Sequence, residues 1–205
     1  MLLRFIIKIS LSSQKDNENK LQIHTIMVLN ERDMRHEHVI ECAKQMMTAA
    51  RTAPKAKGVD IIEVMMITDD DIVALSNALH QIGENLGRGG LMRDAGNLLE
   101  ADAVVLIASR EEAMCLNCGY CGFPTCGERP AGVPCAMNTI DVGIAVGSAV
   151  ATAADLRLDT RVMYSAGYAA LKLGWMPGCN YIIGIPVSAS SKNPFFDRKR
   201  KTPAQ

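Results

Sequence analysis

The sequence is poor in aromatic residues and carries no net charge. Aromatic side chains make up 4% of its 205 residues, and its 22 basic residues are balanced by 22 acidic ones. Nucleic-acid-binding domains ordinarily present a basic surface, and single-strand binders add aromatic side chains on which bases stack. The composition therefore argues against a nucleic-acid partner. Its 48% of hydrophobic residues is enough for one well-buried domain.

The sequence also lacks a recognisable export signal and a long membrane-spanning run. Arg4 and Lys8 interrupt the apolar N-terminal stretch, and no small-residue cleavage site follows it. The longest charge-free apolar helix candidate, residues 142–154, lies between Asp141 and Asp155 and is shorter than the roughly 18 residues of a transmembrane candidate. We therefore expect a cytoplasmic protein without a membrane partner.

Residues 1–26 show no sustained periodic pattern, and a second methionine, Met27, shortly precedes a regular helical one. We interpret residues 1–26 as a disordered or extraneous extension, with the true start at either Met1 or Met27. Residues 27–205 are then expected to form a single domain.

Beyond that extension, helical patterns alternate with short apolar runs. Apolar residues at three- and four-residue spacing predict a helix from Glu31 to about Ala53, which Pro54 ends. The run AVVLIA, residues 103–108, is apolar on both faces and predicts a central strand covered by helices. Further strands are predicted over residues 61–67, 161–164 and 181–186, and further helices after Asp69, over 91–99, over 140–156 and around 169–173.

Polar residues mark where two of these helices should begin. Asp69 or Asp70 is expected to cap the helix after the first strand, and Asn138 or Thr139 the long helix. The glycine-rich break GRGG, residues 87–90, lacks the lysine and the preceding strand of a phosphate-binding loop. We interpret it as a flexible turn.

Five of the seven cysteines fall within one stretch rich in glycine and proline, and they are Cys115, Cys118, Cys121, Cys126 and Cys135. Thiolates are soft ligands, and a cluster of them in a reduced compartment more often holds a metal or an iron-sulfur cluster than forms disulfides. A cubane cluster needs four thiolates, so the spacing leaves one cysteine spare. The first four cysteines nearly follow a bacterial ferredoxin run, and the last four form a C-x2-C-x4-C-x8-C pattern. A structural zinc site with four cysteine ligands is the alternative interpretation.

The segment NCGYCGFPTCGE resembles the small 4Fe-4S domain of electron-transfer and corrinoid-linked proteins, whose signature is CxxCGxPTC followed by a more distant fourth cysteine. The final gap here is shorter than is usual in that domain. The resemblance implies Cys118, Cys121, Cys126 and Cys135 as the metal ligands, with backbone N–H groups of Gly119, Tyr120 and Gly122 near the cluster. Whether Cys115 or Cys135 is the fourth ligand stays open.

Three other segments resemble nitroreductase-like flavoproteins: residues 49–69, residues 141–164, and the basic ending GIPVSASSKNPFFDRKRK. The resemblance implies an α/β (α+β) fold with a mixed sheet flanked by helices, a bound FMN and a homodimer that shares the flavin site. It also implies Lys55, Lys192 and Arg198 as partners of the flavin phosphate. Lys55 stands where the family has serine, and Gly58 where it has asparagine.

Nitroreductase-like flanks with a cysteine-rich loop inserted at residues 111–137 resemble an uncharacterised prokaryotic family of ferredoxin-domain-containing proteins. We therefore predict an iron-sulfur protein that transfers electrons through a 4Fe-4S cluster, coupled to a flavin-dependent reductase activity. The alternative is a non-enzymatic structural or interaction module stapled by a four-cysteine zinc site or by a cluster.

Overall fold

The structure is a computed structural model that describes residues 28–196. The extension expected over residues 1–26, the alternative start Met27 and the predicted phosphate partner Arg198 lie outside the described residues. In chain order the elements are α1 (Glu31–Thr52), β1 (Ile62–Ile67), α2 (Asp69–Asn85), α3 (Gly89–Leu98), β2 (Ala103–Arg110), α4 (Ala136–Asp155), β3 (Asp159–Thr160), α5 (Tyr164–Lys172) and β4 (Cys179–Ser188).

The four strands form one sheet in the order β1-β2-β4-β3. Every pairing among the described strands is antiparallel, so the expectation of a mixed sheet is wrong in that detail, although the α/β class is confirmed. Both faces of β2 are buried, as its apolar sequence predicted. Helices cover both faces of this antiparallel sheet, a burial pattern that sequence reasoning associates more readily with parallel strands.

The residues of β2 alternate between two hydrophobic cores, as the two-residue period of a strand requires. Val105 and Ile107 face the core that α1 and α4 share with the sheet. Val104 and Leu106 face the second core, which is built with α2, α3 and α5. The sheet is thus the middle of three layers.

Helix α4 begins at Ala136, earlier than the sequence suggested, and Cys135 occupies its N-cap position. The expected caps Asn138 and Thr139 therefore lie inside its first turn. With 20 residues, α4 is long and apolar enough to cross a membrane by length and composition alone. Its buried face nevertheless packs on α1 and the sheet, as in the core helix of a globular domain.

Two other boundaries differ from the predictions. Thr68, not Asp69 or Asp70, precedes α2, and the acidic residues lie in its first turn, where the helix dipole favours negative charge. The strand predicted over residues 161–164 is wrong: β3 ends at Thr160, and a single bridge joins Met163 to Gly184.

Helix α5 lies directly against the backbone of β4 because two glycines allow the contact. A Cβ atom at Gly167 would overlap the carbonyl group of Ile182, and one at Gly184 would lie 2.6 Å from the Cβ of Ala166. A Cβ at Gly96 in α3 would meet no atom within 4 Å.

We predict that the same glycine-to-alanine change has opposite effects at two helical positions. Gly167→Ala should lower the free energy of unfolding by about 2 kcal/mol or more, because the methyl group forces α5 away from β4. Gly96→Ala should raise it by up to about 1 kcal/mol through helix propensity. Urea unfolding of both variants tests the pair, and a change of the same sign in both would contradict the packing described.

Candidate functional site

The five clustered cysteines lie in one loop that joins the end of β2 to the start of α4. Cys115 is exposed, and Cys135 is buried. The three cysteines between them, Cys118, Cys121 and Cys126, are partly buried. All seven cysteines of the chain lie within the described residues and are free thiols. The free thiols of the loop therefore range from exposed to buried.

A buried amide ties the two ends of this loop together. Asn138, in the first turn of α4, is 1% exposed. Its Nδ2 donates hydrogen bonds to the carbonyl oxygens of Glu112 at 2.6 Å and Arg110 at 3.5 Å. Because one amide bonds both carbonyls, the exit of β2 is held at the N-terminus of α4.

Two cationic side chains hold the interior of the loop. Arg129 donates through Nη1 to the carbonyl oxygen of Val133 and through Nη2 to that of Glu111 at 3.0 Å. Lys57, in the turn after α1, donates through Nζ to the carbonyl oxygen of Met114 at 3.3 Å. These contacts bring positive charge to a loop rich in ionisable thiols.

Cys135 has an environment that favours the thiolate. Burial by itself raises the pKa of the Cys135 thiol. Hydrogen bonds from the backbone N–H groups of Met114, Asn138 and Met137 act in the opposite direction, as does the charge of Arg129, and the pKa is lowered overall.

Two cysteines outside the loop behave differently. Burial raises the pKa of the Cys42 thiol and of the Cys179 thiol, with nearby acidic side chains adding to the effect. Both thiols therefore have the character of small buried residues rather than ligands.

The sulfur of Cys126 also receives a backbone hydrogen bond. The N–H group of Asn117 donates to Cys126 Sγ at 3.4 Å, and the N–H group of Cys126 donates to Asn117 Oδ1 at 2.8 Å. Asn117 has a φ of 47°, in the left-handed region that asparagine tolerates well. The sequence had suggested Gly122 as a donor, but its N–H group bonds the carbonyl of Gly119 in a tight turn. Asn117 was missed because only the folded turn brings it to Cys126.

Residues 28–196 contain no group of three His, Cys, Asp or Glu side chains already close enough to hold a metal ion. The donor chemistry nevertheless fits a soft metal or an iron-sulfur cluster, because thiols predominate and a backbone N–H group donates to the sulfur of Cys126. For the thiols of this loop to bind one metal ion or cluster together, the loop has to rearrange between its two fixed ends.

Lys55 does not serve as a free cation in this structure. Its Nζ donates to the carbonyl oxygens of Ala50 at 3.2 Å, Ala53 at 2.7 Å and Arg51. An ammonium group has three donors, so all of them are used at the C-terminus of α1. In this structure the Lys55 ammonium therefore caps α1, and its role as a phosphate partner stays a prediction.

The turn after Lys55 is fixed by a buried carboxylate on α4. Asp141 accepts hydrogen bonds from the N–H group of Ala56 at 3.0 and 3.1 Å. Burial raises the pKa of Asp141, against the opposing effects of the Ala56 hydrogen bond and the Lys55 charge.

A cationic cavity of about 380 Å³ lies at the start of α1, beside the segment that follows β4. Its wall includes three arginines and two serines: Arg32, Arg35, Arg157, Ser190 and Ser191. Arg35 is paired with Glu31 at 2.6 Å, and Lys192 follows the serines directly in sequence. The sequence pattern RDMR at the start of α1 signals two of these arginines, but Arg157 joins them only through the fold.

Comparisons with known proteins agree with the predicted family. Residues 131–198, which include Cys135 and α4, match a family described as "Uncharacterized protein containing a ferredoxin domain". An "Uncharacterized protein" of Archaeoglobus fulgidus is 39% identical over 185 residues, which cover 85% of this chain and 100% of that protein. The ferredoxin domain of the family description indicates a redox role.

Solved structures confirm the nitroreductase-like fold. A nitroreductase-like family protein from Bacillus cereus is 14% identical with a TM-score of 0.53, and the match covers 80% of each chain. A nitroreductase with bound FMN from Desulfitobacterium hafniense is 12% identical with a TM-score of 0.51, covering 80% of this chain and 82% of that one. With its archaeal relative aligned over its full length, the chain belongs to the family of uncharacterized proteins containing a ferredoxin domain, carried on a nitroreductase-like scaffold.

Proposed function

We propose that the protein is a cytoplasmic iron-sulfur redox protein whose cysteine loop binds one 4Fe-4S cluster and transfers single electrons. The observation that carries the proposal is the concentration of five thiols in one loop, where the backbone N–H group of Asn117 donates to the sulfur of Cys126. Hydrogen bonds to sulfur stabilise ligating thiolates and tune the reduction potential of a cluster. The ferredoxin domain of the family supports the same class of function.

Cys118, Cys121, Cys126 and Cys135 are the proposed ligands. Cys135 is preferred to Cys115 as the fourth because three backbone N–H groups and the Arg129 charge already favour its thiolate. Cys115 is exposed, and its Sγ contacts the carbonyl oxygen of Ala113 at 3.4 Å.

When bound, a 4Fe-4S cluster supplies a one-electron carrier. The residues of the chain then hold and tune it. Arg129 and Lys57 bring positive charge to a loop that would carry several thiolates, while Asn138 fixes the ends of the loop. Tyr120, which is 74% exposed, lies in the loop where a redox partner would approach.

We predict that serine substitution separates the ligands from the spare cysteine. Cys135→Ser should remove most of the bound iron after anaerobic purification, as should Ser at each of the other three ligands, because a cubane cluster needs four thiolates. Cys115→Ser, the matched control, should keep it. The measurement is iron and zinc content together with the visible spectrum.

Two outcomes would contradict this assignment. Loss of iron from Cys115→Ser with retention in Cys135→Ser would exchange the fourth ligand. Zinc without iron in the wild-type protein would favour the alternative, a structural module stapled by a closed four-cysteine zinc site.

We further propose that the protein binds FMN, with the phosphate in the cationic cavity at the start of α1. A nitroreductase with bound FMN shares the fold, and the cavity wall carries Arg32, Arg35 and Arg157. A doubly charged phosphate needs cationic or N–H donors, and arginine supplies both in a fixed fork. Lys192 and Arg198, which follow this wall in sequence, remain proposed phosphate partners.

We predict that Arg32→Gln weakens FMN binding about tenfold, because one charge-assisted hydrogen bond to phosphate is lost. Lys44→Gln removes the same charge from α1 at an exposed position paired with Glu41, and it should change FMN affinity little. Titration of flavin fluorescence measures both. Equal losses in the two variants would indicate only a general effect of charge and would contradict the assigned cavity.

We also propose that the single domain of residues 27–205 forms a homodimer through the exposed face of α4. That face is a continuous stripe of small and apolar residues: Ile140, Gly143, Ile144, Gly147, Ala151 and Ala154. A Cβ at Gly143 or Gly147 would meet nothing within 4 Å in one chain, so packing within the chain does not require either glycine. Glycine inside a helix lowers stability, so its presence at two exposed positions needs a reason. Close approach of the backbone of a second copy supplies one.

We predict that Gly147→Leu converts the dimer to a folded monomer, because the new side chain clashes only with the partner copy. Gly96→Leu places the same side chain on an open position of α3 and should leave the dimer intact. Sedimentation velocity with circular dichroism reads out assembly and folding together. A monomeric wild type, or a dimer that survives Gly147→Leu, would refute this interface.

A further inference from the structure

We propose that a second arginine-lined cavity, between the start of α3 and the junction of β3 with α5, binds a phosphorylated small molecule. The cavity has a volume of about 400 Å³. Arg88 and Arg93 from the α3 side and Arg161 from the β3–α5 junction line it, and Asp94 is the one acidic wall residue among residues 28–196. The wall therefore carries a net of two positive charges, and it is distinct from the cavity at the start of α1.

Asp94 holds two of these arginines in place. Its side chain is 8% exposed and accepts hydrogen bonds from Arg93 Nη2 at 2.7 Å and from Ser165 Oγ at 2.8 Å. It also lies 3.4 Å from Arg161 Nη1. A buried carboxylate must be paired, so removal of either guanidinium is costly and both are held against the cavity wall.

The aromatic segment that follows β4 also contacts Arg161. Arg161 Nη1 donates to the carbonyl oxygen of Phe195 at 3.2 Å, and the guanidinium lies 5.3 Å from the centre of the Phe196 ring. Arg161 is therefore oriented before any ligand binds, which lowers the entropic cost of binding.

Several guanidinium donors on this wall remain for a ligand. Within the part of the chain that the structure describes, Arg93 bonds through Nε and Nη2, Arg161 bonds through Nη1, and Arg88 makes no side-chain hydrogen bond. The positive charges repel one another in the absence of an anion. A doubly charged phosphate accepts hydrogen bonds from several guanidinium groups at once and neutralises the excess positive charge.

The first turn of α3 adds backbone donors to the same wall. Gly90 lines the cavity, and no side chain among the described residues caps the helix start. A Cβ at Gly89 or Gly90 would meet nothing within 4 Å, and neither residue has a positive φ. Neither packing nor backbone conformation therefore requires glycine here. A ligand that approaches the backbone closely would require it, and this gives the GRGG segment a role in binding.

The rest of the cavity selects the class of ligand. Val162 and Tyr164 also line the cavity, and they are 48% and 61% exposed. Both side chains can therefore contact an apolar or planar group. The volume exceeds what inorganic phosphate alone requires. A phosphate monoester with an apolar or planar organic part therefore fits this cavity best.

Backbone amide NMR of the full-length protein, titrated with inorganic phosphate and with adenosine monophosphate at constant ionic strength, tests the proposal. Both probes should shift the amide signals of Gly89, Gly90 and Met163, and adenosine monophosphate should bind more tightly and also shift Tyr164. Arg88→Gln should weaken binding at these signals about tenfold, and Arg88→Lys should weaken it less because the charge remains. Lys44→Gln, an equal charge change at an exposed position of α1, should leave them unchanged.

Arg88 is exposed, so these variants should fold normally, and the amide spectrum itself verifies that they do. Shifts confined to the cavity at the start of α1, shifts of equal size in Arg88→Gln and wild type, or no shifts at all would each overturn the proposal. None of these readouts depends on whether FMN or an iron-sulfur cluster is bound.

Discussion

The hydrogen bonds from the buried Asn138 amide to the carbonyl oxygens of Arg110 and Glu112 are the constraint on which the cysteine loop depends. They hold the end of the central strand β2 at the first turn of α4, so the two ends of the loop lie close together. Cys135 then occupies the N-cap position, where backbone N–H groups favour its thiolate. One buried amide thus connects the core of the sheet to the chemistry of the site.

The three layers of the fold divide the proposed functions among different surfaces. The cysteine loop leaves the sheet at the end of β2, and the outer face of α4 provides the proposed contact between subunits. Arginine-lined cavities lie at the starts of α1 and α3, in the two helical layers. A protein of this size can therefore combine electron transfer with recognition of phosphorylated molecules without sharing residues between the sites.

The sequence was informative where short-range patterns determine structure. The apolar run of β2, the periodicity of α1 and the spacing of the cysteines predicted a covered sheet and a sulfur-rich loop. It was less informative where distant residues meet: Arg157 joins Arg32 only through the fold, and Asn117 reaches Cys126 only through a left-handed turn. Lys55 shows the same limit, because a basic residue after a helix is equally suited to a phosphate and to the helix's own carbonyl groups, which it bonds in this structure.

Whether the cysteine loop holds an iron-sulfur cluster is decided by the iron, acid-labile sulfide and zinc content of wild-type protein purified without oxygen. We expect about four iron atoms and about four sulfide ions per chain, with little zinc, as a single cubane cluster requires. Colourless protein that contains no iron, or that contains zinc without sulfide, would contradict it.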